Sequence, residues 1–356
     1  MSAKKILGTF AVAMLAAACG GSPEPTTPTA ANTPTPTPTA PPVATEAPTP
    51  TPTPVAAPAA TPEQTTKALA DAWNAHDPDK IAAAYSENGM LRLSGVPDFA
   101  GRAAIKAAAA TEFKAYPDFK VAVTRVVMKK NVAVLEWVIT GTNTGDNDAM
   151  KSKATGRKIG VHGIGVATFD DAGLVKEEHR YVDMPTEMMQ LDAKAKAGTF
   201  RPVETLPTGA PSVLVSAGTP DEQKNIDAVN AMYKAIDDHK VDATLAMMTA
   251  DGSMDDFTSP AAYKGPKAVK GFLDMIFKAI PDVTQDKNLQ VAAGDLVVTE
   301  GYLHGTMKGN LGPMKATNKP IGLHFVDVIQ MKDGKMVKGW SYGNSMEMMP
   351  PPPAAK

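Results

Sequence analysis

The sequence predicts an α+β protein made of two tandem cone-shaped domains, each a bent antiparallel sheet wrapped around helices. Three observations carry that prediction. The chain repeats itself: Ala115-Tyr116-Pro117-Asp118 matches Ala279-Ile280-Pro281-Asp282, and Ile159-Gly160-Val161-His162 matches Ile321-Gly322-Leu323-His324, at offsets of 160 to 164 throughout. Within each copy helical periodicity comes first and a run of strands comes after it, which is an α+β plan. Asp333-Gly334 between two apolar runs is a two-residue hairpin signal.

Amphipathic helices are expected at 63–77 and 221–238, and short second helices at 79–86 and 241–248. A short strand is expected near 89–95, then third helices at 101–115 and 265–279. Strands are expected at 118–129, 131–144, 157–169 and 174–184, with counterparts at 283–293, 295–308, 320–331 and 335–344. A terminal helix is expected at 185–197. The domains are then 62–197 and 220–349, joined by a linker at 198–219 rich in Pro, Gly, Thr and Ser, with a tail at 350–356. The 356 residues suit two domains of ordinary size.

Composition excludes several function classes. The formal charge of −2 argues against a nucleic-acid partner, which needs a basic face. One cysteine excludes a disulfide framework and a multi-thiolate metal site. The six histidines show no His-x-x-x-His or HExxH spacing, and no Gly-rich phosphate loop is present, so no metal is expected.

The N-terminus reads as an address. Lys4 and Lys5 precede an apolar run from Ile6 to Ala18, too short to span a bilayer. The run ends Leu15-Ala16-Ala17-Ala18-Cys19-Gly20, which resembles the lipobox of bacterial lipoproteins, with leucine four rather than three before the cysteine. That resemblance implies a signal peptide at 1–18 and lipid on Cys19. More than one acyl chain makes a stable membrane anchor. Glycine at position 20 implies the outer membrane where the cell has one. Residues 19–61 form a Pro/Thr-rich tether, polyproline II by default, with a reach on the order of 130 Å. Its Thr-Pro tracts suit O-glycosylation.

The body of the chain resembles the SnoaL-like polyketide cyclase and ester cyclase family, within the nuclear transport factor 2-like folds. The resemblance spans about 290 residues and is carried by Trp73-Asn74-Ala75-His76-Asp77, Phe99-Ala100-Gly101, Tyr116-Pro117-Asp118, Trp137 to Gly141-Thr142, Thr155-Gly156-Arg157-Lys158, Tyr181-Val182-Asp183 and Met189-Gln190-Leu191. It implies a cone fold, no cofactor, and an acid/base carboxylate at Asp183 facing the cone interior. An apolar cavity would raise the pKa of that carboxyl and suit it to proton transfer. Asp183→Asn would then remove turnover and leave the fold intact.

His179, Tyr181 and Asp183 alternate, so they share one face of the last strand. His162 joins that face as a diagonal neighbour of Asp183 if it pairs with Tyr181, and a one-residue slip places it outside. The loop length around Ala172 leaves both registers open, and a two-residue loop at Asp333-Gly334 favours the outside for His324. Copy two carries Tyr342, Trp340 and Asn344 in the matching places. Asn344 cannot carry a proton, so copy one is the candidate active domain and copy two a binder or scaffold. His304 adds a polar group to copy two. Trp137 and Trp73 line the interior or pack the core. Asp118 and Asp282 suit turns, and the Met clusters near 184–189 and 346–349 suit an adaptable apolar lining or core filling.

Three readings are open: a lipid-anchored binder of a small apolar molecule, a cofactor-free cyclase or isomerase acting through Asp183 and His162, and an assembly module pairing through its sheets as a homodimer or within one chain. Export weighs against polyketide cyclisation, which uses cytoplasmic intermediates.

Overall fold

The computed structural model describes residues 60–147, 152–312 and 314–349. The segment expected as a signal peptide, Cys19, nearly all of the expected tether and the expected tail lie outside them. Both repeats belong to one unit, Ala59–Pro351.

Both copies open in the same way. A threonine caps the first helix through a capping box, with proline as the first helical residue: Thr61 and Gln64 for α1 (Pro62–Asn74), Thr219 and Glu222 for α5 (Pro220–Asp237). Short helices α2 (Pro78–Ala83) and α6 (Val241–Ala246) come next. Strands β1 (Tyr85–Leu93) and β8 (Met248–Asp256) each pair with a two-residue strand, β2 (Phe99–Ala100) and β9 (Tyr263–Lys264), which the sequence pattern does not reveal. Then come α3 (Gly101–Ala115) and α7 (Pro266–Ala279).

The meanders are β3 (Lys120–Lys129), β4 (Val132–Thr142), β5 (Lys158–Phe169) and β6 (Val175–Val182) in copy one. Copy two has β10 (Thr284–Ala293), β11 (Leu296–Thr306), β12 (Pro320–Lys332) and β13 (Lys335–Gly343). Asp118 and Asp282 serve as turn residues: each accepts the backbone N–H and the hydroxyl of a threonine 24 positions on, Thr142 or Thr306, at 2.6 to 2.7 Å. The Asp333-Gly334 hairpin forms with both residues at positive φ and Lys332 opposite Lys335.

Three expectations are corrected. The sheets are mixed rather than wholly antiparallel, because β1 pairs parallel to β6 and β8 parallel to β13. The terminal helix α4 (Met184–Leu191) stops six residues early, where the Asp192 carboxylate accepts the Lys194 N–H in a local turn and competes with helix. The linker, for which no strand is expected, contains one: β7 (Ser212–Val215) adds to the open edge of β3, giving the order β2-β1-β6-β5-β4-β3-β7 in the first sheet. The second sheet, β10-β11-β12-β13-β8-β9, has no such addition.

Each sheet has two buried faces. The inner face of the first closes on α1, α2 and α3 around Leu69, Ile81, Tyr85, Ile105, Met128 and Phe169. The inner face of the second closes around Val229, Met232, Tyr233, Leu273 and Phe325. The outer faces pack on each other through the same five positions of each copy: Val127, Val134, Ile164, Val166 and Tyr181 against Val291, Val298, Val326, Val328 and Tyr342. Equivalent residues meeting in pairs make this seam pseudo-two-fold.

Candidate functional site

The register settles the hairpin question. Ile164 lies opposite Tyr181 and Gly163 opposite Val182, so His162 and Asp183 do share a face. That face is the outer one. The expectation that His179, Tyr181 and Asp183 look into the cone is therefore corrected: they look into the seam between the two sheets.

The seam is held by reciprocal bonds. The Tyr181 hydroxyl donates to Glu300 at 2.6 Å, and the Tyr342 hydroxyl donates to Glu136 at 2.6 Å. Tyr181 matches Tyr342 and Glu136 matches Glu300, so each copy supplies one of each. Each buried carboxylate also has a cation. Arg125 approaches Glu136 at 2.7 Å as an ion pair, short of an aligned hydrogen bond, and stacks over Trp340 at 4.3 Å. His179 shares a hydrogen bond with Glu300 at 2.7 Å and another with Glu177 at 3.0 Å.

Asp183 and Asn344 complete the reciprocity. Asp183 accepts from the Thr186 N–H and hydroxyl at 3.0 and 2.6 Å, capping α4. It also accepts from the Ser345 N–H and hydroxyl at 2.9 and 2.6 Å, from the other copy. Asn344 Oδ1 accepts from Met346 N–H at 3.2 Å and, across the seam, from Met184 N–H at 3.3 Å. Burial raises the Asp183 pKa against these four bonds. All four donors take up the carboxylate, which leaves no face for a substrate. Asp183→Asn is expected to cost roughly 1–3 kcal/mol, because an amide nitrogen cannot accept from donors already aimed at it. Thermal unfolding measures the loss, and an unchanged midpoint would contradict the capping role.

His162 stacks on Phe257 from the other copy at 4.3 Å, and burial lowers its pKa to about 4. It and Asp183 border a void of about 10 Å³, too small for a substrate. The catalytic pairing expected of them is not formed: His162 is stacked on Phe257 and Asp183 is taken up by Thr186 and Ser345. His179 behaves oppositely: its bond to Glu300, more than that to Glu177, raises its pKa to about 9. A pKa raised on folding adds stability that is complete below the unfolded value near 6.5 and lost as pH climbs through 9. Stability across pH 6.5–9 should therefore fall in the wild type and fall less in His179→Gln. Parallel slopes would remove His179 from the linkage.

The polar groups that do face the first interior were not singled out by the sequence pattern. Glu178 and Arg180 alternate with His179 and Tyr181 on β6. Arg180 bonds Glu178 at 2.6 and 3.0 Å, the Tyr85 hydroxyl donates to Glu178, and the guanidinium lies 4.9 Å from the Trp73 ring. Trp137, opposite Gly163, lies flat where a Cβ on that glycine would stand 2.0 Å from its ring. Trp73 packs against Phe113 and Phe119 at 5.4 and 5.5 Å. Both tryptophans thus belong to the interior.

A second polar group stands where α3 ends and α4 begins. The Tyr116 hydroxyl donates to Glu187 at 2.5 Å. Glu112, on the last turn of α3, has its pKa raised by desolvation and by the Glu187 charge, with Arg180 opposing. Glu187 is raised by desolvation against the Tyr116 bond. Both are half-buried. The sequence carried no signal for Glu178 and Arg180 as interior groups, because β6 has polar residues on both faces and alternation does not say which face looks inward.

The second interior differs. Ile276, Ile280, Gly339 and Ser341 occupy the places of Glu112, Tyr116, Glu178 and Arg180. Its carboxyls come from other positions: Asp327 accepts from the Tyr233 hydroxyl at 2.7 Å with its pKa raised by burial to about 6, and Asp256, beside Ser341, is buried with its pKa also raised by burial. His304 and His324 lie outside it, on the outer face beyond the seam, on either side of Tyr302. With Asp282, Asp286, Lys319 and Glu347 they line an open groove of about 930 Å³. Trp340 and Tyr342 are in the seam. Among the described residues no His, Cys, Asp and Glu group is arranged to hold a metal, and no helix is long and apolar enough to cross a membrane.

A family model described as SnoaL-like polyketide cyclase matches residues 63–191 and 226–350. No curated protein sequence matches the chain. Among solved structures, a proposed SnoaL-like polyketide cyclase from Jannaschia sp. CCS1 is 18% identical, covers 37% of this chain and 97% of its own, and has a TM-score of 0.35. A proposed polyketide cyclase from Streptomyces antibioticus is 18% identical over 35% of this chain and 94% of its own, with a TM-score of 0.32. An LEH-like epoxide hydrolase of M. tuberculosis is 16% identical over 36% and 89%, with a TM-score of 0.31.

Proposed function

Because the chain belongs to the SnoaL-like polyketide cyclase family, with a member at 63–191 and another at 226–350, we propose that its first cone receives a small, largely apolar molecule and that its second serves as a paired scaffold. The observation that carries this reading is the asymmetry of the interiors. Trp73, Trp137 and Tyr85 enclose the first, and its polar groups gather at Glu178–Arg180 and at Glu112–Tyr116–Glu187. The corresponding places in the second are mostly apolar. Aromatic walls with a few convergent polar groups suit a molecule with one hydroxyl or carbonyl end. Cys19 and the tether place this binder on the bacterial envelope through lipid. No cofactor enters the reading.

Cofactor-free proton transfer is the second reading, and it rests on Glu112 and Glu187 rather than Asp183. Two carboxyls with raised pKa values can hold one proton between them and pass it to or from a bound carbonyl compound.

Native mass spectrometry of the protein from its own host tests binding. A retained small molecule that is lost in Trp137→Ala supports it. A molecule kept equally by that variant, or an empty protein whose tryptophan fluorescence ignores a panel of aromatic ketones and steroids, overturns it. For the anchor, Cys19→Ser should move the protein from the membrane to the soluble fraction, and unchanged membrane association would refute it.

A further inference from the structure

The groove on the second domain has a filled counterpart on the first. The β5–β6 ladder stops at Gly163–Val182, which leaves the β5 edge open at Gly160. There the Gly160 N–H donates to Gln190 Oε1 at 2.9 Å. Its carbonyl accepts from Gln190 Nε2 at 3.0 Å and from the Glu204 N–H at 3.0 Å. The same Nε2 reaches the carbonyls of Arg201 and Pro202 at 3.2 and 3.0 Å. The Gln190 amide thus stands in for a peptide group, and residues 201–204 run along the edge.

In the second domain the β12–β13 ladder stops at Phe325–Gly343. The Met331 N–H bonds back to Asp295, on the β11 side, so by alternation Gly322 and His324 turn their backbone groups the other way. The His324 N–H is taken by Glu347 at 2.7 Å. Gly322 matches Gly160, yet among the described residues its outward N–H and C=O have no partner. By the same sequence offset that pairs Asp183 with Asn344, the position of Gln190 falls on Pro351, a residue type without a side-chain amide. Around this edge the groove sets Asp282, Asp286 and Glu347 against Lys319 and two imidazoles, His304 at 3.2 Å from Asp286 and His324 at 3.1 Å from Glu347, so the carboxylates outnumber the fixed cation.

An open strand edge is a template for another strand, and a carboxylate-rich border favours a cationic one. We propose that the β12 edge at Gly322 docks an extended, cationic peptide segment of a partner protein, paired through its backbone as Glu204 pairs with Gly160. This site is separate from the first cone and stands or falls without it.

The test uses the full chain and three capped peptides copying residues 199–206. One is native, one carries Glu204→Lys, and one carries Glu204→Lys with that residue's backbone nitrogen methylated. Fluorescence anisotropy reads affinity and hydrogen exchange reads the Gly322 amide. The lysine peptide should bind more tightly than the native one, and at saturation Gly322 exchange should slow about tenfold. Methylation should weaken binding about tenfold, as expected for the loss of one hydrogen bond. No binding at millimolar peptide, binding that leaves Gly322 exchange unchanged, or equal affinity of the methylated peptide would each overturn the proposal.

Discussion

Glu300→Ala is expected to cost about 3–5 kcal/mol, among the largest losses available to a single substitution here. Glu300 is buried and accepts from two groups of the other copy, the Tyr181 hydroxyl at 2.6 Å and His179 at 2.7 Å. Its removal strands the Tyr181 hydroxyl in a seam lined with valine and leaves His179 with Glu177 alone. Urea unfolding followed by tryptophan fluorescence measures the loss. A double-mutant cycle with Tyr181→Phe should then return a coupling of roughly 0.5–3 kcal/mol, since the two changes delete one shared bond. The exposed pair Lys67–Asp71 is the control: Asp71→Ala removes a 2.6 Å contact in water and should cost under about 1 kcal/mol. A similar small cost at Glu300 would mean that the two domains are not held together by these reciprocal bonds.

Arg180→Met is expected to cost about the same, roughly 3–5 kcal/mol, but in the interior of the first cone. It leaves the Glu178 carboxylate buried with only the Tyr85 hydroxyl as partner. Removing both charges, as Glu178→Leu with Arg180→Met, should recover most of the loss, because two matched apolar groups replace a pair whose desolvation offset its attraction. The two variants separate stability from function. Arg180 is the charge that opposes the rise of the Glu112 pKa, so either variant should push that carboxyl further up. A bound molecule whose affinity depends on pH should show its transition move to higher pH in both. Recovery of stability without any such movement would detach Glu112 from the interior site.

Much of the fold was legible in the chain. The repeat is visible by direct comparison, and the helix-then-strand order and the Asp333-Gly334 hairpin act through neighbours close in sequence, so short-range chemistry suffices to place them. The linker strand β7 was not legible. Ser212–Val215 has too little pattern of its own, and only the open edge of β3 makes it a strand.

The candidate site divides along the same line. Strand alternation told which residues share a face: His179 with Tyr181 and Asp183, and Glu178 with Arg180. A period of two is symmetric and does not tell which face looks inward. In a sheet with one wet face, hydrophobicity breaks that tie. Here both faces are buried, one by helices and one by the other copy, so β6 carries polar groups on each side and the tie stays unbroken. The sequence by itself determined that two copies of one cone fold lie in tandem, and that the copies differ in their ionisable residues. Only the tertiary structure decided that Asp183 caps a seam while Glu178, Arg180, Glu112 and Glu187 hold the interior. Which face a strand buries is a property of what packs against it, and that partner lies more than a hundred residues away.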